Sequence, residues 1–153
     1  MFDYRDYEKR ESFRKRLSSL VEDEDIPKYE LVKKIGISQL TLSKALLYGI
    51  IPKTKTLTLI ADYFEVSVDY LLCRRDDPFY LPSASKQSFY DRIQYLKQRK
   101  GFSTDYALAK DSHLPRQYFG CWEKKGYLPT VEILEYLADY FEVSVDYLLG
   151  RCD

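Results

Sequence analysis

The chain is expected to fold as two tandem all-α domains of five short helices each, and three observations carry that expectation. The string ADYFEVSVDYLL at residues 61–72 recurs unchanged at residues 138–149, an identity too long for chance and the mark of a duplicated unit. Apolar residues return at helical spacing, as in Leu57, Ile60, Ala61 and Phe64 at i, i+3, i+4 and i+7. No segment alternates convincingly as a strand.

Walking back from the shared string pairs Leu57 with Leu134, Pro52 with Pro129, Gly49 with Gly126, Lys33 with Lys110, Leu31 with Leu108 and Tyr29 with Tyr106. One residue is then gained in the second copy, after which Leu20 pairs with Leu96, Arg16 with Arg92 and Phe13 with Phe89. Each copy is roughly 60 residues long, the size of a small independent domain. The expected domains are residues 12–74 and 88–153. Between them the string RRDDPFYLPSAS at residues 74–85, with two prolines and small polar residues, marks a linker over residues 75–87. Residues 1–11, charged and carrying two tyrosines, read either as a backward extension of the first helix or as a loose arm.

The elements follow in order. Phe13, Leu17 and Leu20 form the stripe of the first helix, and Pro27 starts the second. Gly36 stands where a tight turn wants a left-handed backbone, and Ser38 caps the third helix, which Gly49 ends. Leu57 to Phe64 give the fourth stripe. Ser67 caps the fifth helix, with Asp69 favouring its positive N-terminal end. In the second copy Phe89, Ile93 and Leu96, then Leu134, Leu137, Ala138 and Phe141, repeat the apolar faces, Gly126 ends the third helix, and Ser144 and Asp146 repeat the last cap.

Composition bounds the function. With 45% hydrophobic and 31% charged residues the chain is too apolar for a disordered tail, and six Gly with six Pro exclude a collagenous or low-complexity chain. Lysine plus arginine and aspartate plus glutamate both number 24, a formal net charge of zero, which argues mildly against nucleic acid. Cys73, Cys121 and Cys152 form no Cys-x-x-Cys pair, and with one histidine, His113, they make no conventional zinc site. Reduced thiols fit a cytosol. The opening MFDYRD is no signal peptide, and no apolar stretch approaches the roughly 20 residues a bilayer requires. A cytoplasmic chain without membrane contact is expected. No phosphate-cradling glycine loop, activated nucleophile or cofactor motif is legible, so neither an enzyme nor a cofactor is expected.

The segment LVKKIGISQLTLSK at residues 31–44 has helix-turn-helix grammar: a short helix, a turn at Gly36, and a second helix begun by Ser38. Ile37 and Leu42 are expected inward, and Val32 is modest in size where the helices cross. With the segment at residues 61–72 added, the whole unit resembles the Cro and phage-repressor type of DNA-binding domain, the xenobiotic-response-element-like helix-turn-helix family, chiefly through the ending LADYFEVSVDYLLG at residues 137–150. The resemblance covers both copies and implies two tandem lambda-repressor-like DNA-binding domains. In that family the second helix of the motif enters the major groove, where base edges present distinct donor and acceptor patterns.

The resemblance implies Gln39, Leu40 and Lys44 as base readers, flanked by Thr41 and Ser43. Glutamine suits adenine, Lys44 suits guanine, and Leu40 suits a thymine methyl group. Ser38, Lys28, Lys53 and Lys55 would hold phosphates. In the second copy Arg116 and Gln117 are candidate readers, with Lys124 and Lys125 available to phosphates, but Cys121 stands in place of Lys44, Asp105 in place of Lys28 and Glu132 in place of Lys55. His113 replaces Gly36, so a distorted or loose turn is expected there. Lys97, Arg99 and Lys100 form a basic patch where the first copy has Glu22, Asp23, Glu24 and Asp25. Trp122 and the many tyrosines read as core or half-buried packing rather than a base-stacking platform. Cys121 reads as buried or idle.

Two functions fit. The first is a sequence-specific transcriptional regulator, a repressor of a bacterial or phage operon, in which the fused domains act as a covalent pseudo-dimer on double-stranded DNA with one strong and one weak half-site. The second is a protein-interaction module that keeps the fold without reading DNA, with homodimerisation through the last helices, residues 61–72 and 138–149, left open.

Overall fold

In the computed structural model, which describes residues 4–85 and 87–153, the chain is all-helical, with ten helices and no strand among the described residues. It divides into two compact units, Met1–Tyr80 and Leu81–Asp153. Unit 1 holds α1 (Tyr4–Asp23), α2 (Lys28–Ile35), α3 (Gln39–Tyr48), α4 (Thr54–Phe64) and α5 (Val68–Leu71). Unit 2 holds α6 (Phe89–Arg99), α7 (Asp105–Ser112), α8 (Arg116–Lys125), α9 (Val131–Phe141) and α10 (Val145–Leu148). From α2 and α7 onward, equivalent helices begin and end at equivalent residues. The first helices differ: α1 reaches back to Tyr4, so the N-terminal segment is a helix extension, whereas α6 starts at Phe89 under a Ser88–Asp91 capping box.

Each unit closes around the expected apolar stripes. In unit 1 Phe13, Leu17, Leu31, Leu42, Leu57, Ile60 and Leu71 are buried, and in unit 2 Phe89, Ile93, Leu108, Phe119, Leu134, Leu137 and Leu148. Ser67 and Ser144 accept hydrogen bonds from the amides of Tyr70 and Tyr147. Asp69 and Asp146 also form ion pairs with Arg74 and Arg151. Arg16 lies over the Tyr70 ring and pairs with Asp76, while Arg92 lies over the Tyr147 ring and pairs with Asp153. The same cationic tie therefore fastens the first helix of each unit to its C-terminal end.

The segment expected as a linker is anchored at both ends. The Ser67 amide donates to Pro78 O in unit 1, and the Ser83 amide donates to Arg151 O in unit 2, next to an isolated bridge between Pro82 and Cys152. Phe79 and Leu81 stay exposed.

The repeated strings spend most of their apolar side chains inside their own unit. Ala61, Val66, Val68, Leu71 and Leu72, and likewise Ala138, Val145 and Leu148, are spent in the core of their own unit. Asp62, Glu65, Asp139 and Glu142 are exposed, and Phe64, Val143 and Leu149 are half-buried. No helix among the described residues is long and apolar enough to cross a membrane.

Gly49 closes α3 with φ +67°, and a Cβ there would stand 2.3 Å from the carbonyl oxygen of Arg10 on α1. Its counterpart Gly126 has φ +61° but no described atom within 4 Å of that position. Gly49→Ala is therefore expected to destabilise unit 1 by more than about 2 kcal/mol, strain adding to a backbone clash, while Gly126→Ala costs about 1 kcal/mol. Urea unfolding of the two variants checks the ordering; equal losses would contradict it.

Candidate nucleic-acid interface

The geometry of α3 follows from which of its residues the core takes. Leu42 and Ala45 are buried, and at 100° per residue that leaves the opposite stripe to solvent. Leu40 is 64% exposed and Leu47 66%, with Lys44 exposed between them. Gln39 is exposed, and Thr41 and Ser43 are half-buried on the flanks. The candidate readers therefore share the outward side of one helix.

The turn before α3 is tightly specified. Gly36 takes φ +87°, and the amides of Gly36 and Ile37 both donate to Val32 O, closing the end of α2. Val32 is buried and Ile37 half-buried. Ser38 Oγ accepts from the Thr41 amide at 3.1 Å and lies 2.7 Å from Thr41 Oγ1. That cap satisfies an otherwise orphaned helix amide. It also occupies much of Ser38, because one of the two hydroxyls donates to the other and only one proton of the Ser38–Thr41 pair is left over.

The charge around this helix is segregated in a way the neutral total conceals. Between residues 26 and 61 the chain carries Lys28, Lys33, Lys34, Lys44, Lys53 and Lys55 against a single acid, Glu30. All six lysines are exposed, and none makes an ion pair among the described residues. The equivalent stretch of unit 2, residues 103–138, sets Lys110, Arg116, Lys124 and Lys125 against Asp105, Asp111, Glu123, Glu132 and Glu135. One unit presents a basic middle and the other a slightly acidic one. The signal was present in the sequence as a local count, and only the whole-chain average hid it.

In unit 2, α8 keeps the scaffold with different furniture. Phe119 and Trp122 take the core positions, their rings 4.9 Å apart, and Trp122 meets Phe89 edge-on at 5.1 Å. Arg116 and Gln117 are exposed, the Arg116 guanidinium lying 5.9 Å from the Tyr106 ring centre. Pro115 supplies no side-chain cap to α8. Lys124 is exposed, and the Lys125 side chain lies outside the described residues.

Several expectations for unit 2 need correction. The turn at His113 is regular: His113 adopts φ +60°, and the Leu114 amide donates to Ala109 O as Ile37 does to Val32 O. Backbone closure at the end of α7 holds a non-glycine residue in the left-handed region there. The basic patch is also smaller than expected, because Lys97 is buried and bound to Asp105 at 3.1 Å and to Gln94. Lys100 lies 4.0 Å from the Tyr140 ring centre. Cys121 is exposed rather than buried. The tyrosines divide: Tyr7, Tyr29, Tyr48, Tyr95, Tyr106, Tyr118 and Tyr136 are exposed on the outer faces of their helices, and Tyr127 is exposed in the segment between α8 and α9.

Asp105, standing where unit 1 has Lys28, is thus turned inwards. Burial alone would raise its pKa, but hydrogen bonds from Gln94 and Lys97, with the Lys97 charge, outweigh it and hold the carboxyl below its ordinary value. Burial and the neighbouring Asp105 charge push the Tyr90 hydroxyl up to about 12. Tyr90 Oη donates to Asp105 at 3.2 Å.

Comparison of the chain with protein-family models, with curated proteins and with solved structures finds no significant match. Among the described residues no group of three or more His, Cys, Asp or Glu is placed to hold a metal ion.

The depressed pKa of Asp105 fixes the sign of a pH effect. Its contribution to stability is complete above the unfolded-state value, near 3.8, and is lost as pH falls through the lower folded value. Asp105→Asn is expected to cost unit 2 about 1–3 kcal/mol at neutral pH, chiefly by stranding the buried Lys97 ammonium. In urea unfolding the gap between the two proteins should close as pH falls from about 5 to about 2. A gap unchanged across that range would show that the pair is not ionic.

Proposed function

We propose that the chain is a sequence-specific DNA-binding transcriptional regulator, a repressor of a bacterial or phage operon, built from two lambda-repressor-like units. The observation that carries this reading is the coincidence on unit 1 of an outward polar helix and a local excess of unpaired lysines. Neither the core nor an ion pair employs those side chains. A short helix with its first turns exposed fits the major groove, and lysines on neighbouring helix starts fit flanking phosphates.

On this reading α3 is the main reader. Gln39 addresses adenine, Lys44 guanine and Leu40 a thymine methyl, with Thr41 and Ser43 beside them. Lys28, Lys53 and Lys55 hold phosphates, and the Ser38–Thr41 pair adds one hydroxyl proton beside them. Unit 2 acts as the weaker half of a covalent pseudo-dimer, through Arg116, Gln117 and Lys124. The asymmetry of charge gives it the smaller share of the binding free energy, because phosphate neutralisation dominates affinity.

The test is duplex binding across a salt series. Lys44→Ala is expected to weaken a selected duplex by about 1–3 kcal/mol and random duplexes far less. Lys28→Ala and Lys53→Ala should weaken both alike and each reduce the salt slope by about 1. Arg116→Ala should cost less than Lys44→Ala. Absence of any duplex preference, with a flat salt dependence, would favour the protein-interaction reading instead.

A further inference from the structure

Because the chain holds one unit twice, each copy reports which surface residues the other can lose. Over residues 28–48 and the equivalent residues 105–125, only Tyr29, Leu31 and Lys33 meet the same residue again, at Tyr106, Leu108 and Lys110. Leu31 and Leu108 are fully buried, which accounts for their retention. Tyr29 and Tyr106, by contrast, are 56% and 58% exposed, and both lysines are exposed as well. Asp62, Glu65, Asp139 and Glu142 are also exposed and identical, but they lie inside the unbroken shared string, where core and surface are kept together. Tyr29 and Lys33 persist where the exposed residues around them, Lys28, Glu30 and Lys34, have become Asp105, Ala107 and Asp111.

Folding leaves the four side chains unengaged. Among the described residues neither tyrosine hydroxyl has a hydrogen bond, neither lysine has an ion pair, and neither lysine lies over its tyrosine ring. Exposed aromatic and cationic residues kept without a packing role point to binding.

Their placement is shared too. Residues four apart on a helix stand about 40° apart around its axis, so Tyr29 and Lys33 follow one another along one edge of α2, as Tyr106 and Lys110 do on α7. Leu31, Val32 and Ile35 take the buried side of α2. The edge lies next to the candidate reading helix: the Arg116 guanidinium, at the start of α8, is 5.9 Å from the Tyr106 ring centre. Gln39 starts α3 at the equivalent position. In unit 2 the neighbouring acids are directed elsewhere, Asp105 to Lys97 and Asp111 to the Tyr140 hydroxyl.

A ligand met by identical residues in both units is identical at both. The candidate base readers have diverged, Gln39 to Arg116, Leu40 to Gln117 and Lys44 to Cys121, as suits two half-sites of different sequence. What does not vary with sequence in a duplex is its sugar–phosphate backbone, whose oxygens accept from tyrosine hydroxyls and lysine ammonium groups alike. We infer that Tyr29 with Lys33, and Tyr106 with Lys110, form the same backbone clamp in both units, each holding phosphates beside its reading helix whatever the base sequence. The inference rests on the DNA reading of α3, and it gives unit 2 a share in duplex binding that its balanced charge does not.

Binding of the intact chain to a selected duplex and to random duplexes across a salt series tests it. Tyr29→Phe and Tyr106→Phe, which remove a hydroxyl and keep the ring, are each expected to weaken every duplex by about three- to tenfold, with the thermal midpoint unchanged. Lys33→Ala and Lys110→Ala should each lower the salt slope by about 1. These losses should match between the units, unlike those of Lys44→Ala and Arg116→Ala. If the parent binds duplex and Lys44→Ala loses the preference for the selected one, while these four variants bind as the parent does, the clamp is overturned and the DNA reading stands. Losses confined to the selected duplex, or to the variants of one unit, also overturn the clamp. A parent chain that binds no duplex overturns both.

Discussion

The burial of Leu42 and Ala45 under α3 is the constraint on which the candidate interface depends. Those two side chains fix the rotation of the helix about its axis, and everything proposed for DNA follows from what is left outside. A shift of one residue in that packing would turn Lys44 and Leu40 towards the core and carry Leu42 into solvent. The left-handed turn at Gly36 and the Ser38 cap fix where the helix begins, so both its phase and its start are specified by short-range chemistry. With Leu, Phe and Ile side chains each stabilising by about 1.5–3 kcal/mol on burial, the core holds that phase firmly.

Unit 2 shows that the scaffold and the surface are separable. Phe119 and Trp122 replace Leu42 and Ala45 without moving a helix boundary, and His113 holds the conformation of Gly36. The ties of Arg16 and Arg92 to the tyrosines of the last helices are kept in both units. What differs is the polar layer: Lys28 has become Asp105, which faces inwards to Lys97, and Lys55 has become Glu132. One framework therefore presents a basic face in one unit and a nearly balanced one in the other.

Most of the architecture was legible in the sequence because repetition and helical spacing are local signals. The stripes at Leu57 to Phe64 and Leu134 to Phe141, and the caps at Ser67 and Ser144, each announce themselves within a few residues. The partners of charged side chains were not legible. Lys97 reads as a surface cation beside Arg99 and Lys100, and only the fold brings Asp105 and Gln94 to it. The exposure of the tyrosines was misread for a related reason, since their spacing gives a face of the helix without saying which face is covered. The close approach of Gly49 to Arg10 depends on where α1 crosses α3, which a helix terminator in the sequence does not report. The outward set Gln39, Leu40 and Lys44 was legible once Leu42 was assigned to the core.

Backbone amide spectra of the intact chain recorded during titration with a selected duplex test the central claim most directly, because they report each helix of both units at once. The account predicts the largest changes at residues 38–44 and at Lys28, Lys53 and Lys55, with smaller ones at Arg116 and Gln117. Changes centred on α8 with α3 unmoved, or none at all in α3 at saturating duplex, would contradict it.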